Sequence, residues 1–294
     1  MAALTLTKPE PTVSADVLSS FRKVNPAQYP ELANHLWDDV YGKGDKMAPG
    51  ALYLAMEMTR RMNIKPGSQV LDLACGKGVT SEFLARTFDV NVAAVDLWIT
   101  EEFLRSKFES AGLGYKIRAY NLDVTEPLPF ADEQFDSIFC MQAFHSFGGS
   151  VAFVHQLLRH LKSGGQICIA GTCFNEEFPN VQQSQIFSIT DGWDAEYNKY
   201  HSPIWWQSLF ESTELVDVFH CRELDNGLEM WEDAILYEWQ RSGFSVDWLR
   251  ESQWLINHIA HSRHHKPYLT HFVISAAKRY RHGAINQCQH YRMK

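Results

Sequence analysis

The residues Val70-Leu71-Asp72-Leu73 read as a strand that runs into Ala74-Cys75-Gly76-Lys77-Gly78, and a helical stretch follows at once. Gly76 and Gly78 let the backbone come close to a ligand, and the helix behind them points unpaired N–H groups at it. Twenty residues after Gly76, at the end of the next apolar run, stands Asp96. A carboxylate there can accept hydrogen bonds from both hydroxyls of a ribose. Together these residues point to an adenosine-containing cofactor lying across the carboxyl ends of parallel strands.

Charge chooses among such cofactors. A dinucleotide pyrophosphate brings negative charge into the turn, and a carboxylate at the position of Asp72 repels it more strongly as water is excluded. S-adenosylmethionine instead brings an ammonium and a sulfonium, which an anionic Asp72 tolerates or exploits. The third glycine of the dinucleotide pattern is also missing, because Ser81 occupies its place. A βα turn with chance carboxylates and a nicotinamide-dependent oxidoreductase are the competing readings.

These residues need a parallel sheet to hold them. Short apolar runs alternate with helical stretches after Gly67, the pattern of βαβ units. Strands are expected over 69–73, 90–95, 116–120, 135–140 and 166–171, with helices over 80–88, 100–111 and 151–161. The last helix is expected to stop at Lys162-Ser163-Gly164-Gly165. Further on, a helix through Trp205 and Phe210, a strand over 216–223, a helix carrying Leu228, Trp231, Ile235 and Trp239, and a strand over 269–278 are expected. Residues 1–15 are Thr/Pro-rich without apolar period and read as a disordered leader. Residues 16–66 read as an N-terminal helical cap, and 279–294 as a basic tail.

The LDLACGKG run resembles the first motif of the class I S-adenosylmethionine-dependent methyltransferases, with Ala74 where that family usually has its first glycine. The resemblance covers roughly Gly50 to Lys278. It implies that Asp72, Ala74, Gly76 and Gly78 border the methionine and ribose end, that Asp96 binds ribose, and that Asp123 accepts the adenine amino group. Leu97 and Val124, beside them, join the cofactor-binding set. The sequence around Asp96-Leu97-Trp98-Ile99 and His145-Ser146-Phe147-Gly148 looks most like a small-molecule branch related to cyclopropane-fatty-acid synthases and ubiquinone-pathway methyltransferases. The implied fold is α/β, a Rossmann-like doubly wound seven-stranded sheet with its last strand antiparallel. An N-terminal helical arm would cover the cofactor, and a lid within about 175–268 would cover the substrate, inside a domain over 67–278.

Methyl transfer from a sulfonium needs an acceptor held in line about 3 Å from the methyl, away from water. A hydroxyl or protonated amine acceptor also benefits from a base, and histidine is the usual one. His145, just past the fourth strand, is the candidate base or substrate contact, with a structural histidine as the alternative. Gln142 shares that position as a cofactor or substrate contact. Tyr41, in the Tyr41-Gly42-Lys43-Gly44-Asp45 loop, is placed to meet the methionine end of the cofactor or the methyl, or to pack in the arm. The Trp205-Trp206 pair and Trp231 are candidates for an aromatic wall or for the core.

The remaining features bound the partners. The chain of 294 residues is 45% hydrophobic and 21% charged, with net charge −8, the composition of a globular protein and a poor match to a polyanion binder. Neither a membrane-spanning run nor a secretory leader is apparent, so the expectation is a cytoplasmic protein with a small-molecule substrate, no nucleic acid and no integral membrane contact. The acidic run from Glu211 to Glu238 reads as a solvated face or as a steering field for a cationic acceptor. His258, His261 and His265 share one helical face, yet no carboxylate or cysteine lies near them, and no metal is expected. The six cysteines form no Cys-x-x-Cys pair and read as reduced thiols. Two rival functions stay open: a cyclopropane-synthase-like lipid-modifying enzyme, and a non-catalytic S-adenosylmethionine-binding protein.

Overall fold

A computed structural model describes residues 15–32, 50–177, 198–264 and 269–280. The leader, Tyr41, His265 and most of the basic tail lie outside the described residues. Seven strands form one sheet: β1 (Gln69–Leu73), β2 (Asn91–Asp96), β3 (Ile117–Asn121), β4 (Phe135–Met141), β5 (Leu161–Phe174), β6 (Val216–Glu223) and β7 (Leu269–Lys278). Their order is β3-β2-β1-β4-β5-β7-β6, and β7 runs antiparallel to both its neighbours. Reversal of the strand order beside β1 leaves a crevice at the carboxyl ends of β1 and β4, where doubly wound folds bind ligands.

Helices cover both faces. They are α1 (Ala15–Ser19), α2 (Ala51–Thr59), α3 (Val79–Phe88), α4 (Glu101–Ser110), α5 (Val151–Arg159), α6 (Pro203–Glu211), α7 (Gly227–Arg241), α8 (Val246–Glu251) and α9 (Gln253–His264). Side chains of α2, α3 and α4 pack with Val70, Val92 and Ala94 on one face of the sheet. Those of α5 and α6 pack with Leu71, Leu73 and Ile138 on the other. A third, smaller core joins α1 to α7, α8 and α9. Local chemistry sets several starts: Thr100, Ser150 and Ser202 each accept a backbone N–H of the first turn, and Pro203 opens α6 with a residue that has no N–H to lose.

Both ends of β5 differ from expectation, since the strand expected over 166–171 runs from Leu161 to Phe174 and its last residues pair with β7. The segment 162–165 is the beginning of β5 and not a helix stop, since Leu161 already pairs with Phe135. The helix has closed by His160, whose N–H reaches Leu157 O. Gly165 serves the sheet, where a Cβ would stand 2.9 Å from the Asp136 carbonyl oxygen. The expected strand 216–223 forms β6, the outer strand of the sheet, inside the segment read as a lid.

The acidic run is not one solvated face. Glu232 is fully buried and accepts the Arg22 backbone N–H, while Asp217 pairs with Arg279 at 2.7 Å. At the start of the basic tail, Lys278 is buried and donates to the Leu161 carbonyl. Cys75, Cys140, Cys168, Cys173 and Cys221 are free thiols, and burial raises all five above the ordinary range.

Candidate functional site

A cavity of about 480 Å³ opens at the carboxyl ends of β1, β2 and β4, within the usual size range of small-molecule sites. Ala74, Gly76, Asp96, Leu97, Asp123, Val124, Gln142 and His145 all line it. Eight of the residues singled out from the sequence, spread over 72 positions from Ala74 to His145, are thus brought to one cavity. Val79 and Thr80, in the first turn of α3, line it too, and Gly78 gives that helix no side-chain cap.

Asp96 fastens the site. Its Oδ2 accepts the Gly76 N–H at 2.8 Å, and its Oδ1 accepts the N–H groups of Trp98 and Ile99 at 2.8 and 2.9 Å. One carboxylate therefore ties the glycine turn after β1 to the loop after β2. A carboxylate offers about four lone-pair positions, so three such bonds leave one for a ligand hydroxyl. Asp123 is held differently: its Oδ1 accepts the backbone N–H and the hydroxyl of Thr125 at 2.9 and 2.6 Å. These bonds hold its carboxyl below the ordinary carboxylate range. Asp123 is consequently an anion on the cavity lining, bonded to Thr125 through one of its two oxygens.

Asp72 and Gly78 do not line the cavity. On β1 the Asp72 side chain is buried, and its Oδ2 accepts the Ser81 hydroxyl of α3 at 2.6 Å. Burial pushes its carboxyl up to about 7, against the Ser81 hydrogen bond and with help from the Asp96 charge. Asp72 is therefore not a carboxylate presented to the cavity; the carboxyl groups on its lining are those of Asp96 and Asp123. Ser81 supplies the hydroxyl that Asp72 requires, a positive reason for the missing glycine.

A stability change follows. Native Asp72 keeps its proton up to about pH 7, whereas the unfolded chain releases it near 3.8, so the folded state binds more protons between these values and stability falls as pH rises through them. Asp72→Asn is expected to remove that fall. Its stability relative to wild type should grow by about 4 kcal/mol between pH 4 and pH 8, read from denaturant unfolding. A constant difference across that range would mean that Asp72 is ionised throughout.

His145 stands on a short 3-10 helix, Phe144–Phe147, half-buried, with its ring 4.9 Å from that of Tyr200 and nearly edge-on to it. Gln142 adopts a left-handed backbone (φ 59°), rare outside glycine, and its N–H donates to Ala170 O at 2.7 Å. Its Oε1 accepts the backbone N–H and the hydroxyl of Thr172 at 3.1 and 3.2 Å. Neither Tyr200 nor Thr172 was visible as a site residue, because each arrives from a distant segment. Trp98 was quoted only within the Asp96-Leu97-Trp98-Ile99 likeness and not as a site residue, although this 81% exposed tryptophan lines the same cavity.

The proposed aromatic wall resolves into other roles. Trp206 is core, packed against Phe144 and Phe272. Trp205 stacks on His201 at 3.6 Å, and His201 reaches Glu177 at 2.6 Å. Trp231 lies flat against His271. Among the described residues no group of three or more His, Cys, Asp or Glu is placed to hold a metal ion. The side chains of His258 and His261, like all of His265, lie outside what is described. No helix among the described residues is long and apolar enough to cross a membrane.

Residues 70–165 match a family described as a methyltransferase domain. Phosphoethanolamine N-methyltransferase 1 of Arabidopsis thaliana is 28% identical over 165 residues, 56% of this chain and 33% of that protein. The chain thus spans about a third of the length of that relative. Phosphoethanolamine N-methyltransferase 2 of Haemonchus contortus, solved with S-adenosyl-L-methionine, superposes with a TM-score of 0.63 at 15% identity, covering 93% of this chain and 62% of that one. Geranyl diphosphate C-methyltransferase of Streptomyces coelicolor A3(2), solved with Mg2+, geranyl diphosphate and S-adenosyl-L-homocysteine, gives 0.57 at 16% identity, covering 90% and 94%. At such identities the likeness establishes a shared Rossmann-like fold. Beside these, the cyclopropane-synthase likeness is a loose comparison.

Proposed function

We propose that this chain, whose residues 70–165 match the methyltransferase-domain family, transfers the methyl group of S-adenosylmethionine to a small-molecule acceptor. The observation that carries the reading is Asp96, clamped by three backbone N–H groups on the wall of a cavity it shares with Asp123, Gln142 and His145. The donor set suits the cofactor: one lone-pair position of Asp96 for a ribose hydroxyl, the second oxygen of Asp123 for the adenine amino group, and two carboxylates that repel a pyrophosphate. When bound, S-adenosylmethionine supplies a methyl group activated by its sulfonium.

The chain's own residues then have distinct tasks. Gly76 and Ala74 let the turn after β1 pass close to the ligand, both in left-handed backbone. Leu97, Trp98 and Val124 give the cavity apolar surface that excludes water. His145, at the carboxyl end of β4, is placed to take the acceptor's proton, with Tyr200 fixing the plane of its ring. His145→Ala is expected to lower kcat about 100-fold while cofactor affinity stays within a few fold. Unchanged kcat with intact binding would remove His145 from the chemistry.

Calorimetric titration with S-adenosylmethionine, S-adenosylhomocysteine and NAD(H) tests the reading. Micromolar binding of the first two, followed by release of S-adenosylhomocysteine in an acceptor screen, is the expected result. Binding of NAD(H) alone would overturn it, and cofactor binding without turnover of any acceptor would favour a sensor.

A further inference from the structure

β4 leaves the sheet at Gln142. Its last register pair with β5 is Met141 with Ala170, and the Gln142 N–H donates to the Ala170 carbonyl at 2.7 Å. In a continuing parallel pair, the residue that donates to Ala170 would accept the Thr172 N–H with its own backbone carbonyl. Here the side chain makes that bond: Gln142 Oε1 accepts the Thr172 N–H at 3.1 Å and the Thr172 hydroxyl at 3.2 Å. A backbone N–H can only donate, so the amide oxygen must face it and stands in for the strand's own carbonyl.

The backbone at this point is left-handed, with φ 59°, a conformation that glycine takes freely and other residues enter at a cost. Six non-glycine residues among those described share such a backbone, and of these only Ala74 and Gln142 line the cavity. They stand where the neighbouring strands β1 and β4 leave the sheet. Backbone of this kind gathers at functional sites and persists where surrounding contacts hold it. After Gln142 the chain turns, the Ser146 N–H reaches Ala143 O at 2.8 Å, and the 3-10 helix that carries His145 begins.

The carboxyl end of β5 holds both the turn and the ring it delivers. Ala170 takes the Gln142 N–H, Thr172 takes the amide oxygen, and Phe174 lies 6.2 Å from the ring of Tyr200, which meets His145 at 4.9 Å. Thr172 itself is buried and does not line the cavity. Were the amide oxygen absent, the Thr172 N–H would regain a partner only if the backbone carbonyl of residue 142 swung back into the ladder. β4 would then run one rung further and carry His145, three residues on, out of its place.

We propose that Gln142 is the positioning residue for His145: its amide oxygen replaces its own backbone carbonyl in the sheet, which frees the left-handed turn that sets the imidazole on the cavity lining. This inference rests on the reading of His145 as the base of methyl transfer and deepens it.

The test uses full-length protein without ligand, with labelled histidine and tyrosine, and the His145 signals are those lost in His145→Ala. Gln142→Gly keeps a residue at ease in the left-handed turn and removes the acceptor, whereas Gln142→Glu keeps an acceptor oxygen at the same reach. In Gln142→Gly the nuclear Overhauser cross-peak between the His145 and Tyr200 rings is expected to be lost, while Tm stays within about 5 °C of wild type because the easier backbone offsets the lost bonds. In Gln142→Glu the cross-peak is expected to remain. A cross-peak retained in Gln142→Gly, or lost in both variants, would overturn the inference. A larger fall in Tm, or failure of Gln142→Gly to fold, would assign the clamp to stability and overturn it as well. Unchanged kcat in His145→Ala would strike the base reading instead, and the cross-peak, read without turnover, would still decide what places His145.

Discussion

Asp96→Ala is expected to weaken S-adenosylmethionine and S-adenosylhomocysteine binding at least about 100-fold and to lower stability as well. The variant removes the carboxylate that accepts the Gly76, Trp98 and Ile99 N–H groups. Hydrogen bonds to a charged group contribute about 1.5–3 kcal/mol each, and the three donors are left partly buried and unpaired. The turn after β1 and the loop after β2 then lose their common anchor, so the cavity wall opens on two sides. Affinity falls twice over, through the lost ribose contact and through the displaced walls. Asp96→Asn separates the two, since its amide oxygen still accepts from Trp98 and Ile99 whereas its NH2 opposes the Gly76 N–H. An affinity between those of wild type and Asp96→Ala is expected, measured by calorimetry beside thermal unfolding. Equal binding by all three proteins would show that ligand recognition lies elsewhere in the fold.

The strands were legible because the sheet core is apolar and continuous: Gln69–Leu73, Val216–Glu223 and Leu269–Lys278 have the ends their sequences indicate. What failed was inference from sequence to the direction of a side chain. β1 is buried on both faces, so no alternation tells which way Asp72 points. It shares the face of Val70, beneath α3, and Ser81 rather than solvent receives it. Gly164-Gly165 misled for a related reason. A glycine pair after a lysine stops a helix in isolation, but here the approach of β4 demands a residue without Cβ. Tyr200 and Thr172 were out of reach because their contacts with His145 and Gln142 come from packing between segments far apart in the chain. Local pattern carries no record of that.

Gly78 shows how one motif can hold two kinds of glycine. Gly76 borders the cavity, whereas Gly78 sits behind it as the N-cap of α3 with φ 82°. A Cβ at Gly78 would stand 2.6 Å from Cε1 and Cζ of Phe108 and 3.4 Å from Leu104. Phe108 is fully buried on α4, so its ring has no room to retreat. Left-handed backbone costs a non-glycine residue about 1–2 kcal/mol, and forcing an extra carbon into a packed core adds about 1–3 kcal/mol. Gly78→Ala is thus expected to lower Tm by about 5–15 °C, with cofactor affinity falling only as far as the turn at Gly76 is displaced. The steric share can be isolated by a second change. Phe108→Leu shortens the opposing side chain, and in that background Gly78→Ala should cost less than it does alone, because two contacting residues couple while the backbone strain remains. Additive losses would mean that the ring is not the obstacle and that backbone conformation alone requires glycine. The spacing that reads as a ligand-binding signature would then owe its second glycine to the strand-to-helix turn, with α4 packing afterwards into the space that glycine leaves.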